Sequence, residues 1–314
     1  MVRFGRDDAL SALVSLRSMT DCTLVTCELI PGLDPDDRLL VDELRKRGLT
    51  VTSAVWSDPR VDWAQSRLSV LRSTWDYHGR YADFARWIDR VSDVTALRND
   101  AAMVRWNMHK SYLRDLESQG VPVVPTAWVY KGRPRSLADL RTANGWGDCV
   151  IKPARGLATH GVLLVRCDGP SSKEGQAHLD GLVRDDDVLV QPYLGDVVSY
   201  GERALIFLLG RFSHAVVKKP FDTVLAVGDA GGAAVEVTQE EVAVAAKALG
   251  AAPGRPLYAR VDLLRDDEGA ARVSEVELIE PALYFGASTD ALQSFADCIE
   301  LELAALGRRL TIYG

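Results

Sequence analysis

The sequence predicts an α/β protein in which a parallel sheet comes first and two mixed α+β lobes follow. Between residues 23 and 56 a strand pattern, a helical stripe and a second strand pattern alternate, as in the βαβ unit of a parallel sheet. From residue 203 onward strand patterns dominate, and no internal repeat is visible. The predicted partition is an N-terminal arm over 1–20, a first domain over 21–100, a central lobe over 101–192 and a C-terminal lobe over 193–314.

The bulk composition is that of a soluble globular protein. The 314 residues are enough for one large or two to three small domains, and 47% of them are hydrophobic and 26% charged. The net charge of −7 argues against a general nucleic-acid-binding protein, which needs a basic face to neutralise phosphates. No run of eighteen apolar residues occurs, so no membrane partner is expected.

Cysteine usage indicates a reducing compartment. The five cysteines are scattered and form no Cys-x-x-Cys pair, which fits the cytoplasm better than a disulfide framework. The first eight residues lack the apolar core of a signal peptide. We therefore expect a cytoplasmic protein.

The first domain is expected to carry three strands. Strand patterns cover 23–27, 50–56 and 68–72, and helical patterns cover 36–47 and 81–91. Gly48 is expected to end the first helix.

Polar residues follow the third of these strands. In open parallel sheets ligands gather beyond the carboxyl ends of the strands. Arg72, Ser73, Asp76 and Tyr77 are therefore candidates for substrate contact. The alternative is that Tyr77 packs in the core, as Trp75 would, and that Asp76 caps a helix.

The remaining elements are expected in this order. Helical patterns cover 107–116, 136–141, 240–249 and 288–306, and strand patterns cover 127–130, 149–152, 162–166, 188–191, 204–209, 213–218, 257–264 and 273–279. The polar stretch 168–178 and the glycine-rich stretch 225–234 are expected to be mobile loops.

Lys152 ends a strand beside a loop bounded by Gly156 and Gly161. An ammonium group there can pair with phosphate oxygens, and a glycine loop lets backbone N–H groups approach them. The pattern is not a Walker motif, because no Gly-Lys-Ser/Thr opens a helix. A plain β-hairpin turn is the alternative.

Glu275 and Glu277 are two residues apart in a strand, so both side chains point to one face. Adjacent carboxylates repel each other unless a cation lies between them, and magnesium prefers such oxygen ligands. Asp262, in the apolar segment 258–264, could supply a third oxygen from a neighbouring strand. The alternatives are a solvated strand face for the glutamates and an ion pair with Arg260 or Arg203 for Asp262.

The segment 190–196 breaks a strand with a proline. Backbone groups left free there can bind an adenine edge. A plain interdomain hinge is the other interpretation, and the two are compatible.

Six elements in this order resemble motifs of the ATP-grasp superfamily. They are 107–110, 150–153 with its glycine loop, 190–194, 201–203, 260–262 and 275–277. Each is weak alone, and the ordered set is specific. The resemblance is closest to glutathione synthetases and to ligases that modify a ribosomal protein. Within this group 105–107, 213–220 and 277–281 resemble a bacterial subgroup that includes the D-cycloserine-forming O-ureido-D-serine cyclo-ligase.

The resemblance implies an ATP-grasp fold with a pre-ATP-grasp domain and two lobes that sandwich ATP. It also implies residue roles: phosphate binding by Lys110, Lys152 and the loop from Gly156 to Gly161; adenine binding by Gln191, Tyr193 and Leu194; ribose binding by Glu202; magnesium binding by Asp262, Glu275 and Glu277; and catalysis by Arg203, Lys218 and Arg260. The last metal position is often asparagine in glutathione synthetases. The ligases that modify a ribosomal protein have an arginine-rich stretch at this place, whereas no arginine occurs over 221–232. This difference argues against a poly-glutamate substrate.

The implied activity is an ATP- and Mg²⁺-dependent carboxylate–amine ligase that works through an acyl phosphate and cyclises O-ureido-D-serine to D-cycloserine. The alternatives are a ligase that joins two separate molecules, a nucleotide-binding protein without turnover, and a carbohydrate- or peptide-binding protein. The set of lysines and carboxylates argues against a non-catalytic role. The expected partner is a small amino-acid-like molecule, and the apolar faces leave open whether the chain forms a homodimer.

Overall fold

The structure, a computed structural model, describes residues 19–156, 160–218, 232–288 and 290–312, without the side chains of 308–312. Three sheets follow one another along the chain. The predicted arm over 1–20 falls mostly outside the described residues, and the first strand begins at Thr20.

The first sheet is parallel, as the βαβ pattern predicts. Its elements are β1 (Thr20–Thr26), α1 (Pro35–Lys46), β2 (Val51–Val55), β3 (Ser66–Ser73), α2 (Tyr81–Ser92) and β4 (Ala96–Arg98), with strand order β2-β1-β3-β4. The Asp34 carboxylate caps α1 by accepting the Asp37 N–H at 2.9 Å. Strand β4 is absent from the sequence prediction because three residues are too few to show a period.

The second sheet is antiparallel. Its strands are β5 (Ala127–Val129), β6 (Cys149–Pro153), β7 (Leu163–Val165) and β8 (Val188–Pro192), in the order β5-β8-β6-β7. The same part of the chain forms the helices α3 (Ala101–Asn107), α4 (Tyr112–Ser118), α5 (Leu137–Asn144) and α6 (Gly169–Leu182). The Ser136 hydroxyl caps α5 by accepting the Asp139 N–H at 3.2 Å.

Two sequence predictions in this lobe are wrong. The helix predicted over 107–116 is divided: Asn107 ends α3, and its side chain binds the backbone at Val276 and Leu278 instead of continuing the helix. The stretch 168–178 belongs to α6, where Asp168 caps the Ser171 N–H. Gly175 lets α6 approach β7 so closely that a Cβ atom there would lie 2.7 Å from Val165.

The third sheet is antiparallel and has helices on both sides. Its strands are β9 (Glu202–Leu208), β10 (Arg211–Lys218), β11 (Ala233–Ala234), β12 (Tyr258–Arg265) and β13 (Ala271–Glu277), in the order β11-β10-β9-β12-β13. The helices are α7 (Gln239–Gly250) and α8 (Ala291–Ile312). Residues 219–231 lie outside the described residues, so most of the predicted loop over 225–234 is not described; its end forms β11.

Alternation along β9 separates two cores. Leu205 and Phe207 pack with Ala245 of α7, whereas Ile206 packs with Phe295 of α8. Helix α8 also contacts α1 and β3, so it joins the first sheet to the third. No helix within the described residues has the length and apolarity needed to cross a membrane.

The segment after β13 has four consecutive backbone carbonyls bound by side chains from elsewhere in the chain. Asn99 donates to Leu278 O at 2.7 Å, Tyr258 to Ile279 O at 2.8 Å, Trp75 to Glu280 O at 3.3 Å, and Arg72 to Pro281 O at 3.1 Å. Because buried carbonyls without a partner are costly, these bonds restrict the segment to one path. We call residues 278–281 the clamped segment.

Arg72 links this segment to the first domain. The Arg72 side chain is 1% exposed, and its Nε donates to Asp37 Oδ1 at 2.6 Å. Ser73 donates to the other Asp37 oxygen at 2.5 Å. Burial acts to raise the pKa of Asp37, and the guanidinium opposes that effect.

Replacing Arg72 by methionine should therefore destabilise the protein strongly. The substitution leaves Asp37 buried without its cation, which costs about 3–5 kcal/mol in free energy of unfolding. Urea unfolding followed by circular dichroism measures the change. The matched control is Arg60→Met, which removes an exposed pair with Asp58 and should change stability by less than about 0.5 kcal/mol. Equal effects of the two substitutions would contradict the structural role of Arg72.

Candidate functional site

A cleft lies where the second and third sheets face each other. Its lining includes most of the residues for which the sequence predicts nucleotide contacts: Lys110, Lys152, Gly156, Gln191, Tyr193, Leu194, Glu202 and Glu275. Gly161 is absent from this lining, although its neighbours His160 and Val162 are part of it.

One end of the cleft is apolar. Val150, Val162, Leu194 and Leu264 line it, and the sequence predicts no ligand contact for Val162 or Leu264. In the sequence these residues are visible only as apolar residues in strands. Core residues have the same pattern, so the sequence does not distinguish the two. Walls of this kind suit a flat heterocycle such as adenine.

The connector after β8 borders this apolar end. The Tyr193 N–H donates a hydrogen bond to Asp148 O at 3.0 Å. The Leu194 N–H has no hydrogen-bond partner within the described residues. The Gln191 amide donates to Thr126 Oγ1 at 2.9 Å. Leu194, which lines the cleft, therefore offers a backbone donor to a ligand.

The other end of the cleft holds two ammonium groups. Lys110 Nζ lies 2.6 Å from Glu275 Oε1 and donates to Gly156 O at 3.4 Å. Lys152 has no ion-pair partner within the described part of the chain. Burial lowers the pKa of Lys152; Glu275 opposes that effect, and the neighbouring Lys110 adds to it. An ammonium group in this setting suits phosphate oxygens.

The two glycines at the ends of the predicted phosphate-binding loop, Gly156 and Gly161, lie close to Pro153. A Cβ atom on Gly156 would lie 3.1 Å from Pro153 Cγ, and one on Gly161 would lie 3.2 Å from it. Gly161 also has a φ of +73°, which favours glycine. Residues 157–159 lie outside the described residues, so the centre of this predicted loop is not described.

Three carboxylates meet beside the ammonium groups. Asp262 on β12 lies opposite Glu275 on β13, and Glu277 is two residues farther along. One oxygen of each lies within 4.8 Å of the others. Oxygen ligands gathered in this way fit Mg²⁺, which is commonly bound by carboxylates together with substrate phosphates.

Cationic side chains neutralise these carboxylates. Arg260 donates to both oxygens of Asp262, at 2.9 and 3.1 Å, and also to Glu277. Lys218 Nζ lies 2.6 Å from Asp262 Oδ2 and 3.1 Å from Glu202 Oε2. The sequence alternative that Asp262 pairs with Arg260 is thus realised, and a metal ion would compete with that pair.

The pKa shifts follow from this arrangement. Burial acts to raise the pKa of Asp262, but Arg260 and Lys218 outweigh it, so the pKa is lowered. The pKa of Glu275 is likewise lowered, because Lys110 and Lys152 outweigh burial. Burial raises the pKa of Glu277 despite Arg260.

The structure places Arg203, which the sequence predicts to be catalytic, on the opposite face of the sheet from Asp262. Arg203 pairs with Leu263 across the sheet, so it faces away from Asp262 and Glu202. Its guanidinium stacks over the Tyr200 ring at 3.9 Å, on the side of the sheet that α7 covers. A strand exposes alternate residues to opposite faces, and Glu202 rather than Arg203 faces the cleft.

Three of the four predicted substrate residues are also engaged elsewhere. Arg72 and Ser73 are buried and bound to Asp37. The Asp76 carboxylate accepts the Trp56 indole N–H at 2.6 Å, and it caps no helix. These side chains support the fold, because the polar end of β3 is covered by α1 and the clamped segment.

Tyr77 is the exception. Its ring stacks on Phe84 with centroids 4.8 Å apart, as the packing alternative predicts, but it also lines a second cavity beside the carboxylates. This cavity shares Lys110, Gly156 and Glu275 with the cleft. Its wall includes Glu280, a residue to which the sequence argument assigns no role.

Known proteins resemble this chain in sequence. Residues 22–99 match the family described as D-cycloserine synthetase DcsG, N-terminal domain. Over 290 residues the chain is 34% identical to the cycloserine biosynthesis protein DcsG of Streptomyces lavendulae, an alignment that covers 88% of this chain and 96% of that protein. The chain belongs to the DcsG family.

Solved structures extend this result to the fold. The crystal structure of D-cycloserine synthetase DcsG matches with a TM-score of 0.82 at 33% identity, covering 90% of this chain and 99% of that one. The ATP-grasp ligase PsnB, solved with a minimal precursor, Mg and ADP, matches with a TM-score of 0.62 at 16% identity, covering 90% and 98%. The likeness to PsnB shows the fold alone. The predicted ATP-grasp fold is confirmed, and so is the expectation of an ATP-dependent ligase.

Lys152→Met should separate nucleotide binding from stability. Removing a buried ammonium group without an ion pair should leave the melting temperature of the ligand-free protein unchanged or raise it. The same change should weaken binding of AMPPNP with Mg²⁺ by about tenfold or more, because a charge-assisted bond to phosphate is lost. Thermal unfolding with and without AMPPNP measures both effects.

Lys173→Met removes an exposed lysine and serves as the control. It should leave the nucleotide-induced rise in melting temperature intact. A full rise in the Lys152 variant would contradict the phosphate assignment.

Proposed function

We propose that this DcsG-family ligase activates a substrate carboxylate with ATP and closes it onto a nitrogen of the same molecule, converting O-ureido-D-serine to D-cycloserine. The observation that carries the proposal is the 34% identity to cycloserine biosynthesis protein DcsG along nearly its whole length. The cleft supports it, because its lining combines apolar walls, two ammonium groups and the Glu275 carboxylate, which lies within 4.8 Å of an oxygen of Asp262 and of Glu277. We keep the partition into a first domain and two lobes, with ATP bound between the lobes.

The cleft residues have separate tasks in this reaction. Lys110 and Lys152 hold the phosphate oxygens, and Leu194 with its apolar neighbours holds the base. Asp262, Glu275 and Glu277 would hold a magnesium ion, which offsets negative charge on the phosphates. Lys218 and Arg260 lie beside these carboxylates and stabilise charge on the transferred phosphoryl group.

The proposed conversion takes three covalent steps. A substrate carboxylate oxygen attacks the γ-phosphorus of ATP, ADP leaves, and an acyl phosphate remains. The nitrogen next to the substrate oxygen then attacks the acyl carbon, phosphate leaves, and that nitrogen loses its proton. The ring still carries the carbamoyl group on its nitrogen. Water then attacks the carbamoyl carbon, the bond to the ring nitrogen breaks and that nitrogen takes up a proton, which gives D-cycloserine and carbamic acid; the carbamic acid decomposes to carbon dioxide and ammonia. Holding both ends of one molecule together supplies much of the rate of ring closure.

The carboxylates can be tested with the double substitution Glu275→Gln and Glu277→Gln. Amides are weaker magnesium ligands than carboxylates, so ADP release with O-ureido-D-serine should fall below detection while the circular dichroism spectrum is retained. Glu268→Gln, an exposed change on the turn after β12, is the matched control and should keep full activity. Unchanged turnover in the double variant would overturn the metal assignment.

The number of substrates distinguishes ring closure from the joining of two molecules. With O-ureido-D-serine as the single carboxylate, ADP and phosphate should be released and mass spectrometry should detect the cyclic product. Phosphate release that requires a second amine or amino acid would instead support an intermolecular ligase. A screen of amino acids and ureido amino acids with ATP and magnesium covers both cases.

We also propose that the reaction takes place in the cytoplasm.

A further inference from the structure

Glu280 differs from the other carboxyl groups at the cleft. Glu202, Asp262, Glu275 and Glu277 each lie in an ion pair with a lysine or arginine. Glu280 has no ion-pair partner within the described part of the chain, although it is only 7% exposed. A buried carboxyl without a cation is costly, so its presence calls for an explanation.

The surroundings of Glu280 point to a ligand. The residue lines the second cavity with Tyr77, Met108 and Lys110, next to the carboxylates that face the phosphate end of the cleft. The Tyr77 hydroxyl interacts with the Glu280 carboxyl. Burial raises the pKa of Glu280, and Glu277 raises it further, as expected for a carboxyl whose charge the protein leaves uncompensated.

The position of Glu280 is also well defined. Its backbone belongs to the clamped segment, where Trp75 binds Glu280 O and Arg72 binds Pro281 O. Stacking on Phe84 holds the Tyr77 ring. A recognition group supported in this way loses little freedom when a ligand binds.

We infer that Glu280, with the Tyr77 hydroxyl, binds the amino group of the substrate beside the carboxylate that is to be activated. An ammonium group supplies the missing cation and up to three N–H donors, and a carboxylate accepts such donors. Lys110, Glu275 and Glu277 line the same cavity, so the substrate carboxylate can meet the phosphate beside the bound amino group. The substrate class is therefore an α-amino acid with a free amino group. This inference rests on the proposed ligase function.

The test compares two substrates with two forms of the enzyme. The substrates are O-ureido-D-serine and its deamino analogue, 3-(ureidooxy)propanoate, and the enzymes are wild type and Glu280→Gln. In wild type, loss of the amino group should raise KM by about tenfold or more, the usual cost of a hydrogen bond to a charged group. Glu280→Gln should raise KM for O-ureido-D-serine by a similar factor and change KM for ATP by less than about twofold.

The decisive readout is that the two losses do not add. Wild type and Glu280→Gln should have the same KM for the deamino analogue, because the contact is already absent. A residue with a purely structural role would affect both substrates equally. Tyr77→Phe keeps the ring stack and should raise KM for O-ureido-D-serine alone by about two- to tenfold, and Glu268→Gln should change nothing.

Several outcomes would overturn the inference. An equal KM of wild type for the two substrates would do so without any variant, even if Glu280→Gln failed to fold. An unchanged KM of Glu280→Gln for O-ureido-D-serine would also do so, as would an equal rise in the KM of this variant for both substrates.

Failure of the proposed function gives a different result. Wild type would then release no ADP with O-ureido-D-serine, and the same comparison is made with the amine-bearing carboxylate that does support ADP release in the screen. If no amine-bearing carboxylate supports it, the inference about Glu280 is overturned too.

Discussion

Mutual repulsion among carboxylates is the constraint on which this cleft depends. Asp262, Glu275 and Glu277 have oxygens within 4.8 Å of one another, and Glu202 shares Lys218 with Asp262. Such a group is stable in a folded protein only if cations surround it. Those cations come from three places in the chain: the turn between α3 and α4, the end of β10, and β12 itself. The geometry of the cleft is thus a consequence of how charges are balanced.

This arrangement also explains how a binding site is kept ready for a highly charged ligand. The carboxylates form ion pairs with the protein's own lysines and arginine. If nucleotide and metal bind as proposed, they exchange one set of ion pairs for another, so little charge is left uncompensated at either stage. Lys152 in the cleft and Glu280 in the second cavity have no ion pair within the described residues. They lie where a phosphate and an amino group are proposed to bind.

Support for the site comes from the first domain as much as from the lobes around the cleft. The clamped segment follows Glu277, and its carbonyls are bound by Arg72 of β3, by Trp75 just beyond β3, and by Asn99 and Tyr258. Arg72 is therefore important for a different reason from the one that the sequence suggests. Residues at the carboxyl end of β3 do approach the site, but through the backbone of 278–281; Tyr77 alone among the predicted substrate residues reaches a cavity.

The sequence by itself determined the order of the sheets, most of the element bounds and the residue types of the cleft. These follow from local periodicity and from the few chemistries that bind phosphate and magnesium, both of which can be observed in a linear chain. Tertiary structure decided which way each polar side chain faces. Arg203 and Glu202 are adjacent in sequence, yet only Glu202 reaches the cleft, because a strand presents neighbours to opposite faces and the sheet order determines which face is covered by α7. Glu280 gains its significance in the same way, since the absence of an ion-pair partner depends on what packs around it in space.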